Sequence, residues 1–177
     1  MKQRRFGWEL AGFLWTAAVG TLLHWLYEWS GKATVAAAFS AVNESVWEHM
    51  KLLAVPVFFF TAAEVCFQSR EHPNILAVRG AALLAGLLLI PTVYYTYTGV
   101  LGRRFMWVDI ALFYAADAAV FWLSSRWRRQ RRWPAGWQQA AGLLCLWLLL
   151  FLFIWCTYRP VRLPLWQDPT TLSYGIP

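Results

Sequence analysis

The residues of this chain best equipped for chemistry crowd into a few places. Asn43, Glu44, Ser45, Glu48, His49 and Lys51 fall within one short stretch, "NESVWEHMK", with apolar runs on both sides. His24 and Glu28 stand four residues apart, and with Thr21 they share the spacing of one helix face. Two imidazoles and several carboxylates suit zinc or another divalent transition ion, which draws nitrogen and oxygen donors from separate elements. A bound ion of that kind activates water, and Glu48 or Asp109 would then serve as general base. On this reading His24, Glu28 and His49 are metal ligands, and Ser45, Glu48 and Asp109 form the catalytic set. The spacing is not by itself a metal motif, since neither H-x-x-x-H nor H-E-x-x-H occurs. Structural roles compete for the same residues. "SVWE", Ser45 to Glu48, fits a capping box in which Ser45 caps a helix and Glu48 reaches back to its backbone. A purely structural polar network and a cavity for a small solute or ion would also use these residue types.

What must position them is a membrane bundle. Of 177 residues, 59% are hydrophobic and only 14% charged, against roughly 25% charged in soluble domains. Mean hydropathy is +0.42. Thirteen Trp fit a protein with two membrane–water interfaces to line. A bilayer core of ~30 Å needs about 20 mostly apolar residues per helix. Five stretches qualify, at about 7–27, 46–67, 80–98, 105–123 and 135–157. The first continues into "TLLHWLYEW" with no small-x-small cleavage site, so it reads as a retained helix and not a signal peptide. Pro56 and Pro91 predict kinks inside the second and third spans. "KATVAAAF", before the second span, is too short to cross and predicts an interfacial or re-entrant helix leading through Asn43. The expected fold is all-α, one domain over residues 1–157. Beyond it, residues 158–177 carry Pro160, Pro164, Pro169 and Pro177 among spaced apolar anchors. They predict an extended strap over the outer mouth, with Asp168 available to the polar layer.

Loop charges set the direction. With the N-terminus inside, ten basic residues fall on the inner side and five on the outer, which favours N-in and C-out in a cytoplasmic membrane. That topology brings His24, Glu28, Asn43, Glu44, Ser45, Glu48, His49, Tyr94, Tyr95, Tyr97 and Asp109 to one outer-leaflet layer. Ionisable groups within a bilayer usually face the bundle interior or a cavity, so this convergence marks the candidate site. In the inner half, Glu64 expects Arg70 or Arg79 as partner, and Asp117 has no obvious one. The inner run Arg126 to Arg132 fixes topology and attracts anionic lipid, at ~1 kcal/mol per basic residue; no nucleic-acid motif accompanies it. Cys66, Cys145 and Cys156 read as buried small hydrophobes, and His72 as a solvated loop residue.

"HWLYEWSG", "FSAVNESVWEHMKL", "YYTYTGVLG" and "LPLWQDPTTLSYGIP" together resemble an uncharacterised family of small bacterial integral membrane proteins, a domain of unknown function. The resemblance covers essentially the whole chain and implies a bacterial membrane protein without supplying an activity. A second likeness is to membrane hydrolases of the alkaline ceramidase and adiponectin-receptor type, in which a Ser and a His four apart lie beside zinc. Ser45 and His49 match that spacing and Asp109 would be the nearby Asp. Five spans instead of seven, and no late H-x-x-x-H, depart from that pattern. The leading expectation is a metal-dependent hydrolase of a lipid or other membrane-proximal substrate. The alternative is a non-catalytic transporter or scaffold whose polar layer is structural.

Overall fold

The computed structural model describes residues 2–68 and 73–176, with side chains over 7–67 and 73–176; Arg70 and His72 lie outside the described residues. The chain is all-helical. Helix α1 spans Lys2–Trp29, α2 Thr34–Phe39, α3 Val46–Gln68, α4 Ile75–Leu101, α5 Met106–Arg129 and α6 Gly136–Tyr158. A single 3-10 turn, Pro164–Trp166, and one antiparallel bridge, Gln167 with Tyr174, shape the tail. Among the described residues, five helices, all but α2, are long and apolar enough to cross a membrane. The short helix expected before the second span is α2. Helix α4 runs further than the sequence suggested at both ends, and stops where Gly102 adopts φ 68° and its N–H closes on the Thr98 carbonyl. Helix α5 continues to Arg129 because its last turns carry buried contacts, described below.

Helices α3 and α4 form the centre, and α1, α5 and α6 turn more of their surface outward. The core joins Leu53, Val57 and Phe60 of α3 to Leu83 and Leu87 of α4, Val120 of α5 and Phe153 of α6. Outward-facing Leu144, Trp147, Leu148, Phe151 and Trp155 of α6 give a face fit for acyl chains. Both proline-containing helices continue across their prolines. Pro56 has no N–H to offer the Leu52 carbonyl, and that carbonyl instead meets Gly20 of α1, where a Cβ would lie 2.7 Å from it. Small residues permit this kind of close helix approach in lipid. The cysteine expectation is corrected in part: Cys156 is buried, Cys145 half-buried and Cys66 exposed on the bundle surface.

At the Arg128 end of the bundle the charges are internal. Glu64 of α3 accepts from Arg79 of α4 at 2.9 Å and from both terminal nitrogens of Arg128 of α5, at 2.5 and 2.8 Å. Glu9 of α1 completes the group, 3.1 Å from Arg79 and 3.4 Å from Arg128. Ser124 accepts a further bond from Arg79 at 3.0 Å, and the Arg79 guanidinium lies 4.4 Å from the Phe121 ring centre. Arg79 was one of the two partners expected for Glu64; Arg128 was not foreseen. Arg128 is therefore withdrawn from the basic run assigned to anionic lipid, because its side chain is 6% exposed and neutralised within the protein. Asp117 is fully buried, and neither of its carboxylate oxygens has a hydrogen-bond partner among the described residues.

Candidate functional site

At the opposite end, the loop from Ser40 to Ser45 is held by hydrogen bonds on every side. Buried backbone outside a helix needs such partners at membrane depth. The Asn43 carbonyl oxygen of the side chain accepts from the Ser45 N–H at 2.9 Å, and the Asn43 amide donates to the Gly175 carbonyl at 2.8 Å. The Glu44 N–H donates to the Asp168 carboxylate at 3.2 Å. Ser45 caps α3 by accepting the Glu48 N–H at 3.3 Å. The other half of the expected capping box differs: Glu48 accepts from the Val42 N–H at 3.3 Å, since Asn43 has already taken the Ser45 N–H. The strap thus grips the loop at the Asn43 side chain and at the Glu44 backbone. Stacking of Trp166 on Trp47, at 4.7 Å between ring centres, adds an apolar anchor.

So positioned, the Glu44 carboxylate lies between two imidazoles. One oxygen is 3.9 Å from His24 Nε2 and the other 3.8 Å from His49 Nε2, and the two rings are 5.2 Å apart. All three offer a ligand atom within 4.8 Å of one another. His49 Nδ1 lies 2.9 Å from the Ser45 carbonyl. A carbonyl can only accept, so Nδ1 carries a proton there, and Nε2 is the nitrogen left facing Glu44. Histidine ligands are commonly oriented in this way, through the nitrogen that does not bind the ion. His24 and His49 are 30% and 33% exposed and Glu44 44%, so the group is open on one side.

The other residues singled out from sequence lie elsewhere. Glu28 is not in the group: it sits on the surface, 3.7 Å from Lys32. Glu44 occupies the third position that the helical stripe had suggested for Glu28. Glu48 is 2% exposed and engaged, 2.6 Å from Lys51 and accepting from Thr157 at 2.9 Å. Lys51 also donates to Thr157 at 2.8 Å and to the Ala37 carbonyl at 2.9 Å, which ties α2, α3 and α6 together. A carboxylate so committed has no free lone pair facing a reacting water, and Ser45 is spent on its cap. Asp109 accepts from the Tyr97 hydroxyl, with Tyr94 and Tyr95 packed alongside, and is separate from the His–Glu group. Thr21 contacts the Tyr114 hydroxyl at 3.2 Å. Sequence reasoning underrated Glu44 because helical periodicity says nothing about a loop residue. The available signal was an acid in a polar turn between two apolar segments.

Burial alone would raise the Asp168 carboxyl, but bonds from the Thr170 hydroxyl and N–H, and from the Glu44 and Thr171 N–H groups, hold it below the usual carboxylate range. It is an anionic clamp on the loop that carries Glu44.

Five helices long and apolar enough to cross a membrane, with a half-open His–Glu–His group on α1, α3 and the loop before α3, define a multi-pass membrane protein with a candidate cation site near one end. The family described as "Family of unknown function (DUF6512)" matches residues 2–176, and the chain belongs to it. No curated protein and no solved structure matches the chain.

Proposed function

We propose that His24, Glu44 and His49 bind one divalent metal ion and that the protein is a metal-dependent membrane hydrolase. The supporting observation is the convergence of two imidazole Nε2 atoms on one carboxylate, with His49 already held in the ligating tautomer. Zinc held at about 2.0–2.2 Å sets neighbouring donors roughly 3.4 Å apart; small side-chain rotations bring the 3.8 and 3.9 Å separations to that value. Two His and one carboxylate leave a coordination position free, the pattern of catalytic rather than structural zinc sites. A metal in this position supplies Lewis acidity and lowers the pKa of a bound water. Glu44 and the two imidazoles hold the ion, the Ser45 carbonyl orients His49, and the open side admits substrate. Glu48 is a packing partner of Lys51 in this scheme and not the base. The excess of Lys and Arg on the opposite side supports an outward-facing site, and the sequence resemblance supports a bacterial cytoplasmic membrane. The exposed arginines of the 126–132 run, without Arg128, face the anionic inner leaflet.

Metal content of detergent-purified protein, loaded with zinc and desalted, tests the reading. Wild type should retain about one ion per chain, as should Glu28→Gln. Loss of an outer-shell partner alone weakens metal binding about 10–100-fold, and His24→Ala, His49→Ala and Glu44→Gln should each cost at least that while keeping the helical circular dichroism of wild type. Binding should weaken as pH falls, because each imidazole must be unprotonated to ligate. A folded wild type that retains no ion at neutral pH would end the proposal.

A further inference from the structure

The same end of the bundle holds a cavity of about 600 Å³ lined by Tyr158, Arg159, Pro160, Arg162 and Tyr174. It lies where α6 ends and the strap folds back. Gly175 turns the strap beside it: its φ is +69°, and a Cβ there would meet the Pro160 ring at 2.8 Å, so glycine lets the chain settle against Pro160. That contact brings Tyr174 beside the two arginines. The Tyr158 hydroxyl is occupied by the Thr34 carbonyl and fixes one wall. The two guanidiniums are different. All the ion pairs found among the described residues belong to other cations, namely His24, His49, Lys32, Lys51, Arg79 and Arg128. Arg159 and Arg162 thus bring two uncompensated positive charges to one concave surface. Other exposed arginines, Arg103, Arg104 and those of the 126–132 run, are also without an ion pair among the described residues; Arg159 and Arg162 differ in sharing one concave surface with two phenols. Guanidinium pairs match the oxygens of phosphate, and a phenol beside them adds a donor.

The strap connects the cavity to the loop that carries Glu44. Tyr174 precedes Gly175, whose carbonyl receives the Asn43 amide, and Asn43 precedes Glu44. The strap is one wall of the cavity and the clamp on the metal-binding loop.

We infer that the Arg159–Arg162 cavity binds the phosphate group of the substrate, and so that the hydrolase proposed above acts on a phosphate-bearing compound. This rests on the metal reading for its catalytic meaning, though phosphate binding itself does not need the ion. The phosphate belongs either to a lipid headgroup at the interface or to a soluble ester, and the experiment separates the two.

Binding of dihexanoyl phosphatidic acid, dihexanoyl phosphatidylcholine and inorganic phosphate to detergent-purified protein should be measured by calorimetry, with and without EDTA. Phosphatidic acid should bind in both conditions. Each of Arg159→Gln and Arg162→Gln should lower its affinity about tenfold, and the pair more, while Lys32→Gln leaves it unchanged. Phosphatidic acid binding without inorganic phosphate binding assigns a lipid headgroup; equal binding of both assigns a soluble phosphate. The inference is overturned if the double variant binds phosphatidic acid as wild type does, or if phosphatidylcholine binds equally well to both. Phosphate binding that survives EDTA and His49→Ala in a protein that holds no zinc would remove the metal reading and leave this site standing. Stoichiometric zinc without any phosphate binding would do the reverse.

Discussion

Arg79 and Lys51 are, among the described residues, the largest side chains with essentially no exposure, and each is surrounded by carboxylate and hydroxyl oxygens. A charge at membrane depth is costly unless it is paired, and removing one partner of a buried pair is worse than removing both. Glu9 and Glu64 balance Arg79 and Arg128, two charges of each sign. Arg128→Gln should therefore lower stability by about 3–5 kcal/mol, because Glu64 loses its bidentate partner. Asp117 stands apart, since both its oxygens are buried and unpartnered. Asp117→Asn should leave stability unchanged or raise it, as the amide keeps the carboxyl's shape and brings no charge into a site that offers its oxygens no hydrogen bond. Thermal unfolding in detergent measures both. A drop for Asp117→Asn as large as that for Arg128→Gln would mean that Asp117 has a partner of equal weight.

The strap and the loop it grips are the elements that turn scattered polar residues into a site. Asp168 is 4% exposed and gathers the Glu44, Thr170 and Thr171 N–H groups. Because its folded pKa lies below the unfolded value, its contribution is present above the ordinary aspartate pKa of about 3.9 and fades as pH falls through the lower, folded value. Asp168→Asn should cost about 1–3 kcal/mol at neutral pH, the loss of charge-assisted hydrogen bonds, and should weaken zinc retention by loosening the Glu44 backbone. The difference in unfolding temperature between wild type and variant should narrow as pH is lowered below about 4. A gap that stays constant across that range would assign the Asp168 contribution to packing instead of charge.

For the whole molecule, the outstanding quantity is its direction in the bilayer, which decides whether the His–Glu–His group meets the cell exterior. Lys32 and Gln130 are exposed at opposite ends of the bundle. With the three cysteines replaced by serine, Lys32→Cys should react with a membrane-impermeant maleimide in intact cells. Gln130→Cys should react only after lysis. The reverse labelling would turn the site toward the cytoplasm and remove the basis for an external substrate.

Span number and span position were legible because they depend on local quantities, the length of an apolar run and the residues that stop it. The short helix before the second span followed from the same logic, since "KATVAAAF" is helical in composition and too short to cross. The inward turn of Arg128 was readable too: Asp117, Phe121, Ser124 and Arg128 repeat at four, three and four residues and form one buried stripe of α5. Partner choice was not local. Glu44 replaces Glu28 beside the histidines because the strap pins a non-helical loop from more than a hundred residues away, and Glu48, three residues from Lys51 on α3, is also claimed by Thr157 of α6. Hydropathy and spacing determine which residues reach a given depth. Which of them meet depends on backbone hydrogen bonds made across the tertiary fold, and no period in the sequence encodes those.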